Sequence, residues 1–145
     1  MVSRCWISSC VIQIIQQAAE AAAPREACGL LFGSDGAIDA VQVVENVAEN
    51  PERRFEIDPA ALFAALRAER AGGPKLVGYF HSHPSGDAMP SATDAAMAEG
   101  DGKLWVIVGG DAVTAWRAGP EGFEPLHITV IPAKAGIPSP AGYRP

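Results

Sequence analysis

Residues 75–94 read KLVGYFHSHPSGDAMPSATD and join a strand, a loop and a helix. The part from Lys75 to His81, with Leu-Val-Gly-Tyr-Phe at its centre, has the apolar run of a buried strand. His81 and His83 stand where this strand ends, and a loop rich in Pro, Gly and Ser follows. Ser91 then begins a short helix. A buried strand that ends in polar side chains and leads into a helix is typical of a mixed α/β domain.

The remaining elements are predicted from the period of the apolar residues and from turn residues. Ser8 or Ser9 could cap the first helix, and Asp58, with Pro59 behind it, begins the second. We predict helices over residues 11–23, 59–71 and 91–99, and strands over 27–32, 37–47, 55–57, 75–81, 104–108, 112–117 and 126–131. Short turns between several strands and helices between others predict an α/β or α+β domain built on a single sheet.

Composition limits the class of protein. The chain has 145 residues, 48% of them hydrophobic and 19% charged, with a net charge of −6. This length predicts one domain, and the apolar content argues against a disordered chain. The acidic balance argues against nucleic acid as a partner, because phosphates need a basic face. We expect the domain to span residues 1–131, and we expect residues 132–145, which are rich in proline, to form a disordered or loosely attached tail.

The N-terminus contains a weak resemblance to a signal peptide. Arg4 precedes a short apolar stretch over residues 5–15, but glutamines interrupt it and it is far too short to cross a bilayer. We therefore expect a cytoplasmic protein that does not engage a membrane. An odd number of cysteines argues against a disulfide scaffold, so all three are expected to be free thiols.

The two histidines of the opening stretch are candidate metal ligands. In a strand, the spacing of His81 and His83 points both imidazoles to the same side. Asp94 follows in the next helix, and the intervening loop is long enough to fold back and make its carboxylate a third ligand of Zn²⁺. Three protein ligands leave a position for water, which is the catalytic arrangement. Alternatively, Ser91 and Asp94 form a variant of the capping box, and such a cap could itself orient the ligand.

The complete spacing resembles a known family. His81-Ser82-His83-Pro84, six further residues and Ser91-Ala92-Thr93-Asp94 reproduce the motif of the JAMM (MPN-plus) metalloproteases. Residues 24–33, PREACGLLFG, are similar to the family segment that carries its catalytic glutamate, here Glu26. Asn46, Asn50-Pro51, Phe55 and Ile57-Asp58-Pro59 also resemble the small stand-alone bacterial members, so the resemblance covers about residues 6–131.

This resemblance implies a fold and a set of residue roles. The fold would be a curved mixed sheet flanked by helices, in the cytidine-deaminase-like architecture of MPN domains. His81, His83 and Asp94 would bind one Zn²⁺ per chain together with a catalytic water. Glu26 would be the general base, and Ser91 would donate a hydrogen bond to the developing oxyanion. Without the resemblance, Glu26 is only a glutamate after a helix.

The resemblance also implies a reaction. We expect zinc-dependent hydrolysis of a peptide or isopeptide bond at the C-terminal tail of a ubiquitin-like or sulfur-carrier protein, and release of an amino acid such as cysteine is one form of it. The loop at 85–89 and the segment 46–55, with Arg53 and Arg54, are the expected walls of a groove for that tail. The alternatives are a non-catalytic MPN scaffold and a RadC-like accessory of DNA repair, and the acidic balance argues against the second.

Overall fold

The chain forms a mixed α/β structure in which strands outnumber helices. The computed structural model describes residues 3–132. The strands are β1 (Ser3–Ser8), β2 (Cys28–Ser34), β3 (Ala37–Val44), β4 (Lys75–Ser82), β5 (Leu104–Gly109), β6 (Ala112–Gly119) and β7 (Gly122–Ile131). The helices are α1 (Ser9–Ala22), α2 (Pro59–Arg70) and α3 (Ala92–Met97). The predicted fold class is therefore confirmed.

The sheet closes on itself. Its strand order is β1-β3-β2-β4-β5-β6-β7, and β1 pairs in parallel with both β3 and β7. Cys5 and Ile7 of β1 are buried inside this barrel, where Val11 and Ile15 of α1 join the same apolar core. One face of the first helix therefore packs against the core of the curved sheet, and β1 is the strand that closes the sheet.

Strand β1 is the element that the sequence prediction missed. The sequence places residues 5–8 in an apolar stretch that resembles a signal peptide, whereas in the structure they alternate between buried and exposed positions in a strand paired on both sides. The partner strand β7 lies at the opposite end of the described chain, with Ser3 opposite Leu126 and Ser8 opposite Ile131. A pairing over that distance leaves no local signature except the short alternation.

The other predicted elements are present with shifted ends. Ser8 caps α1 by accepting a hydrogen bond from Cys10 N at 3.2 Å, and Asp58 caps α2 by accepting one from Ala60 N at 3.0 Å. The predicted strand at 55–57 is wrong as a strand, because it is reduced to a bridge between Asn46 and Ile57. The predicted tail lies, from residue 133 onward, outside the described residues.

The topology brings one end of β4 next to the start of β2. His81 in β4 stands opposite Cys28 in β2, so Glu26, two residues earlier, lies near the histidine end of β4. On its other side β4 runs parallel to β5, which requires a crossover connection. That crossover is the loop and helix α3 that carry Asp94. No helix in the described part of the chain is long and apolar enough to cross a membrane.

Candidate metal centre

The two histidines point their ring nitrogens at the same place. Nε2 of His81 and Nε2 of His83 are 3.1 Å apart, so both side chains face one side of β4, as predicted. His81 is completely buried, with 0% of its surface exposed. The amide of His83 donates to the carbonyl of Val108 at 2.8 Å, so the backbone of His83 is still hydrogen-bonded to β5 directly after β4 ends.

Asp94 contacts both imidazoles. Its Oδ1 lies 3.0 Å from Nε2 of His81, and its Oδ2 lies 3.0 Å from Nε2 of His83. The same Oδ2 accepts a hydrogen bond from Ser91 N at 2.9 Å, while Asp94 N donates to Ser91 Oγ at 3.0 Å. The capping-box alternative is therefore present at the start of α3, and the cap holds the Asp94 carboxylate against the two histidines.

Glu26 completes the group from the side of β2. Its side chain is buried, with 5% of the residue exposed, and one donor atom each from Glu26, His81 and His83 lie within 4.8 Å of one another. Oε1 of Glu26 and Nδ1 of His81 have no hydrogen-bond partner among the described residues. Four of the predicted site residues thus converge although they come from three separate segments.

The protonation of these groups depends on burial and on their mutual contacts. Burial opposes ionisation of Asp94, but the hydrogen bonds from His81 and His83 outweigh it and hold the Asp94 pKa well below its usual range. The hydrogen bond to Asp94 raises the pKa of His83, whereas burial lowers the pKa of His81. For Glu26 burial dominates, and it raises the pKa to about 7 against the attraction of His83.

This donor set fits a divalent cation. Nδ1 of His83 lies 2.6 Å from the carbonyl oxygen of Asp87, and in the neutral ring donation to that oxygen would leave the lone pair of Nε2 available to a cation in place of the hydrogen bond to Asp94. Two imidazole nitrogens and a carboxylate in a buried cluster form the ligand type that zinc prefers. The orphaned Oε1 of Glu26 adds a buried acceptor beside them.

The family assignment follows from comparison with known proteins. The model of the family described as prokaryotic homologues of the JAB domain matches residues 8–119. The chain belongs to this family. The resemblance to JAMM proteins that the motif indicated is thereby confirmed.

Relatives of this JAB domain include named enzymes. A desampylase from Haloferax volcanii is 37% identical over 123 residues, which cover 81% of this chain and 88% of the relative. A probable TtuB-protein conjugate cleaving protease from Thermus thermophilus is 38% identical over 102 residues, covering 70% and 67%. A solved structure from Desulfitobacterium hafniense has a TM-score of 0.78 at 26% identity and covers 90% of this chain and 94% of its own. Because these relatives are named as enzymes that cleave protein conjugates, the chain is a hydrolase.

Ser91 lies at the mouth of the site. A cavity of about 270 Å³ is bordered by Ser91, Glu26 and His83. The Ser91 hydroxyl oxygen accepts from the Asp94 amide, which leaves the hydroxyl hydrogen free to be donated. Arg53 and Met89 border the same cavity from the two segments expected as walls of a groove, whereas Arg54 is not among its lining residues.

Three residues that support the JAB-domain site had no assigned role in the sequence analysis. Ser82, between the two histidines, is 1% exposed and its Oγ accepts a hydrogen bond from Ala27 N at 2.8 Å. The ring of Phe55 stacks on the ring of His81, with centroids 4.4 Å apart and planes 21° apart. Asn46 binds the backbone of Glu26. Alternation along β4 could have placed the Ser82 side chain on the face away from the histidines. No local pattern reveals that this side chain bonds to the Ala27 amide.

Proposed function

We propose that this chain is a zinc-dependent peptidase that cleaves a peptide or isopeptide bond at the C-terminal tail of a ubiquitin-like or sulfur-carrier protein. The convergence of His81, His83 and Asp94 with the buried Glu26 carries this proposal. The relatives named desampylase and TtuB-protein conjugate cleaving protease support protein conjugates as the substrate class. The RadC-like and scaffold alternatives have no comparable support.

In this proposal, His81 and His83 would hold the metal through their Nε2 atoms, and Asp94 would hold it through its carboxylate. Bound zinc supplies Lewis acidity, which makes a water molecule acidic near neutral pH and polarises a carbonyl group. Asp94 would stay in its anionic form beside the positive charge of a bound cation. The Asp87 carbonyl orients the imidazole of His83, so this ligand keeps one tautomer.

Glu26 would move the proton. Its carboxylate faces the two imidazoles, and burial keeps its pKa near 7, where a general base both accepts and releases a proton readily. It would take a proton from the attacking water and pass it to the nitrogen of the leaving amine. The hydroxyl of Ser91 would donate to the carbonyl oxygen of the scissile bond as negative charge develops there.

The tail of the carrier would reach the site through the cavity of about 270 Å³. Its walls come from residues 52–53 on one side and from the segment between Pro84 and Pro90 on the other. Arg53 borders this rim together with the carboxylates of Glu52 and Asp87, so the rim would present charges of both signs to the carrier. We also propose a cytoplasmic location, the compartment in which buried free thiols such as Cys5 and Cys28 persist.

The direct test uses zinc-loaded protein and a ubiquitin-like carrier fused through its C-terminus to a lysine side chain or to cysteine. We expect mass spectrometry to show the free carrier with an intact C-terminus. A chelator should stop the reaction, and added zinc should restore it. Intact conjugates of both kinds after prolonged incubation, with zinc bound, would contradict the proposal.

A further inference from the structure

Residues 46–57, which we call the clamp loop, fold against the site from outside the sheet. The loop starts and ends in the bridge between Asn46 and Ile57, and Val47 N donates to the Glu56 carbonyl at 3.0 Å. Between these ends it contacts both the base and one of the metal ligands. The clamp loop contributes no side chain to the metal cluster itself, so any influence on the chemistry acts through other residues.

The side chain of Asn46 organises this loop. Its Nδ2 donates to the carbonyl oxygens of Glu26 and Arg54, both at 3.0 Å, with a longer contact of 3.4 Å to the Pro51 carbonyl. Its Oδ1 accepts from the amides of Ala48 and Glu56, both at 3.0 Å. Every hydrogen-bonding group of the amide is therefore used. Four of these partners lie in the clamp loop, and the fifth is Glu26.

The clamp loop forms hydrogen bonds with both backbone groups of Glu26, its amide and its carbonyl. The Glu26 carbonyl accepts from Asn46, and the Glu26 amide donates to the Pro51 carbonyl at 2.7 Å. These two bonds fix the point from which the carboxylate reaches toward the imidazoles. Because its Oε1 has no partner among the described residues, the carboxylate is positioned by its backbone rather than by its own contacts.

The same loop also supports a metal ligand. Phe55 is buried, with its ring stacked on His81 at 4.4 Å and edge-on to Trp105 at 5.6 Å. Nδ1 of His81 has no hydrogen-bond partner among the described residues. The stacking of Phe55 therefore supplies the restraint on the orientation of the ring that a hydrogen bond to Nδ1 would otherwise provide.

We propose that Asn46 is a positioning residue of the hydrolytic site, because its side chain joins the backbone of the base Glu26 to the loop that orients His81. This inference rests on the proposed function for its catalytic consequence. The geometric part stands alone: without the Asn46 amide, the carboxylate of Glu26 and the ring of His81 lose their common support. Misplacement of a catalytic group by about 1 Å can lower the rate by about 100-fold.

Two substitutions separate the parts of this role. In Asn46→Asp the carboxylate still accepts from Ala48 and Glu56 but cannot donate to Glu26 or Arg54. In Asn46→Ala all of these bonds are lost. We expect kcat to fall by about 10- to 100-fold in both variants with one zinc still bound, and KM can rise as well because residues 52–53 of the same loop border the cavity. Should Asn46→Ala fail to fold, Asn46→Asp carries the test alone.

The matched control is Asp58→Ala, which removes the cap of α2 just beyond the clamp loop. This variant should be destabilised in urea, because a helix cap is lost, yet it leaves the bonds to Glu26 and the contact on His81 in place. We expect its kcat to equal that of the wild type. A loss of kcat in the control as large as in Asn46→Asp would assign the effect to stability and overturn the proposal.

A second readout does not depend on turnover. By NMR, we expect the Glu26 amide proton to exchange at least tenfold faster in both Asn46 variants, and the ring protons of His81 to shift as Phe55 moves away. The Asp58→Ala control should show neither change. Unchanged exchange and shifts in Asn46→Asp would overturn the positioning role. If the wild type cleaves no conjugate, the proposed function fails, while these spectra still decide the role of Asn46.

Discussion

Glu26 is a carboxyl group whose surroundings favour the protonated form. Its side chain is buried, burial raises its pKa to about 7, and Oε1 has no partner among the described residues. A carboxyl group in this state is costly for stability and useful for proton transfer. Both consequences can be measured on one substitution, Glu26→Gln, which keeps the shape of the side chain and removes its titration.

The catalytic consequence is a loss of turnover without a loss of metal. In Glu26→Gln we expect kcat for a carrier conjugate to fall by about 10²- to 10⁴-fold, the usual contribution of a positioned general base. The zinc content should stay at one per chain, because the imidazoles and Asp94 are untouched. Elemental analysis and steady-state kinetics on the same sample measure both, and an unimpaired kcat would remove Glu26 from the mechanism.

The stability consequence has a defined sign in metal-free protein. The pKa of Glu26 is raised from 4.5 to about 7, so between these values the folded state holds a proton that the unfolded state has lost. Stability from this group is present below pH 4.5 and is lost as the pH rises toward 7. Urea unfolding should show the wild type losing up to about 3 kcal/mol relative to Glu26→Gln over this interval. Parallel pH profiles would contradict the assignment.

Among the residues of the site, the sequence predicted those that belong to a local spacing pattern. The spacing of His81 and His83 at the end of one strand places them on a common side, and Asp94 lies in the crossover that follows. The supporting contacts were not predictable in this way. Ser82 and Ala27 are 55 residues apart, and Asn46 and Glu26 are 20 apart, so their pairing depends on the assembled sheet.

Among the elements, the end of β4 and the start of β2 form the junction that places the base beside the ligands. The amide of Ala27 donates to Ser82 Oγ at 2.8 Å, and the amide of Ser82 donates to the Ala27 carbonyl at 3.0 Å. The first of these bonds is the side-chain link between the two strands at the level of the site. Its loss leaves a buried amide without an acceptor.

We therefore expect Ser82→Ala to destabilise the fold by about 1–3 kcal/mol, the cost of a buried unsatisfied donor. Ser82→Cys keeps a side chain of similar shape but offers a weaker acceptor, and should fall between the wild type and Ser82→Ala. Chemical denaturation measures both. A Ser82→Ala variant as stable as the wild type would show that the Ala27 amide finds another partner.

Elements also show where sequence patterns stop being sufficient. The helices were predicted because their periods and caps are local, as with Ser8 and Asp58. The strand β1 was missed because its six residues form a strand by pairing with the distant strand β7. That pairing begins with Ser3 opposite Leu126. The interpretation of residues 55–57 as a strand was wrong because Phe55 packs on His81 and only Ile57 forms a bridge.

For the whole molecule, the predicted single sheet is present and closes into a barrel through β1. The groups assigned to the site lie between Glu26 and Asp94. Glu26 comes just before β2, His81 lies in β4 and His83 directly after it, Ser91 is the N-cap of α3, and Asp94 lies within α3. We propose that the tail from residue 132 has no part in metal binding. A chain truncated after Ile131 should bind one zinc with unchanged affinity in a chelator competition. A tenfold or greater loss of affinity would assign the tail a structural role.

The proposed chemistry depends on one zinc ion held by His81, His83 and Asp94. The most direct measurement is zinc-edge X-ray absorption on the purified full chain, together with elemental analysis. We predict one zinc per chain, with first-shell scattering from nitrogen and oxygen at about 2.0–2.2 Å and the multiple-scattering pattern of two imidazoles. In the His83→Ala variant, we expect the multiple scattering of only one imidazole. Sulfur scattering at about 2.3 Å, or a zinc-free protein after zinc loading, would contradict the account.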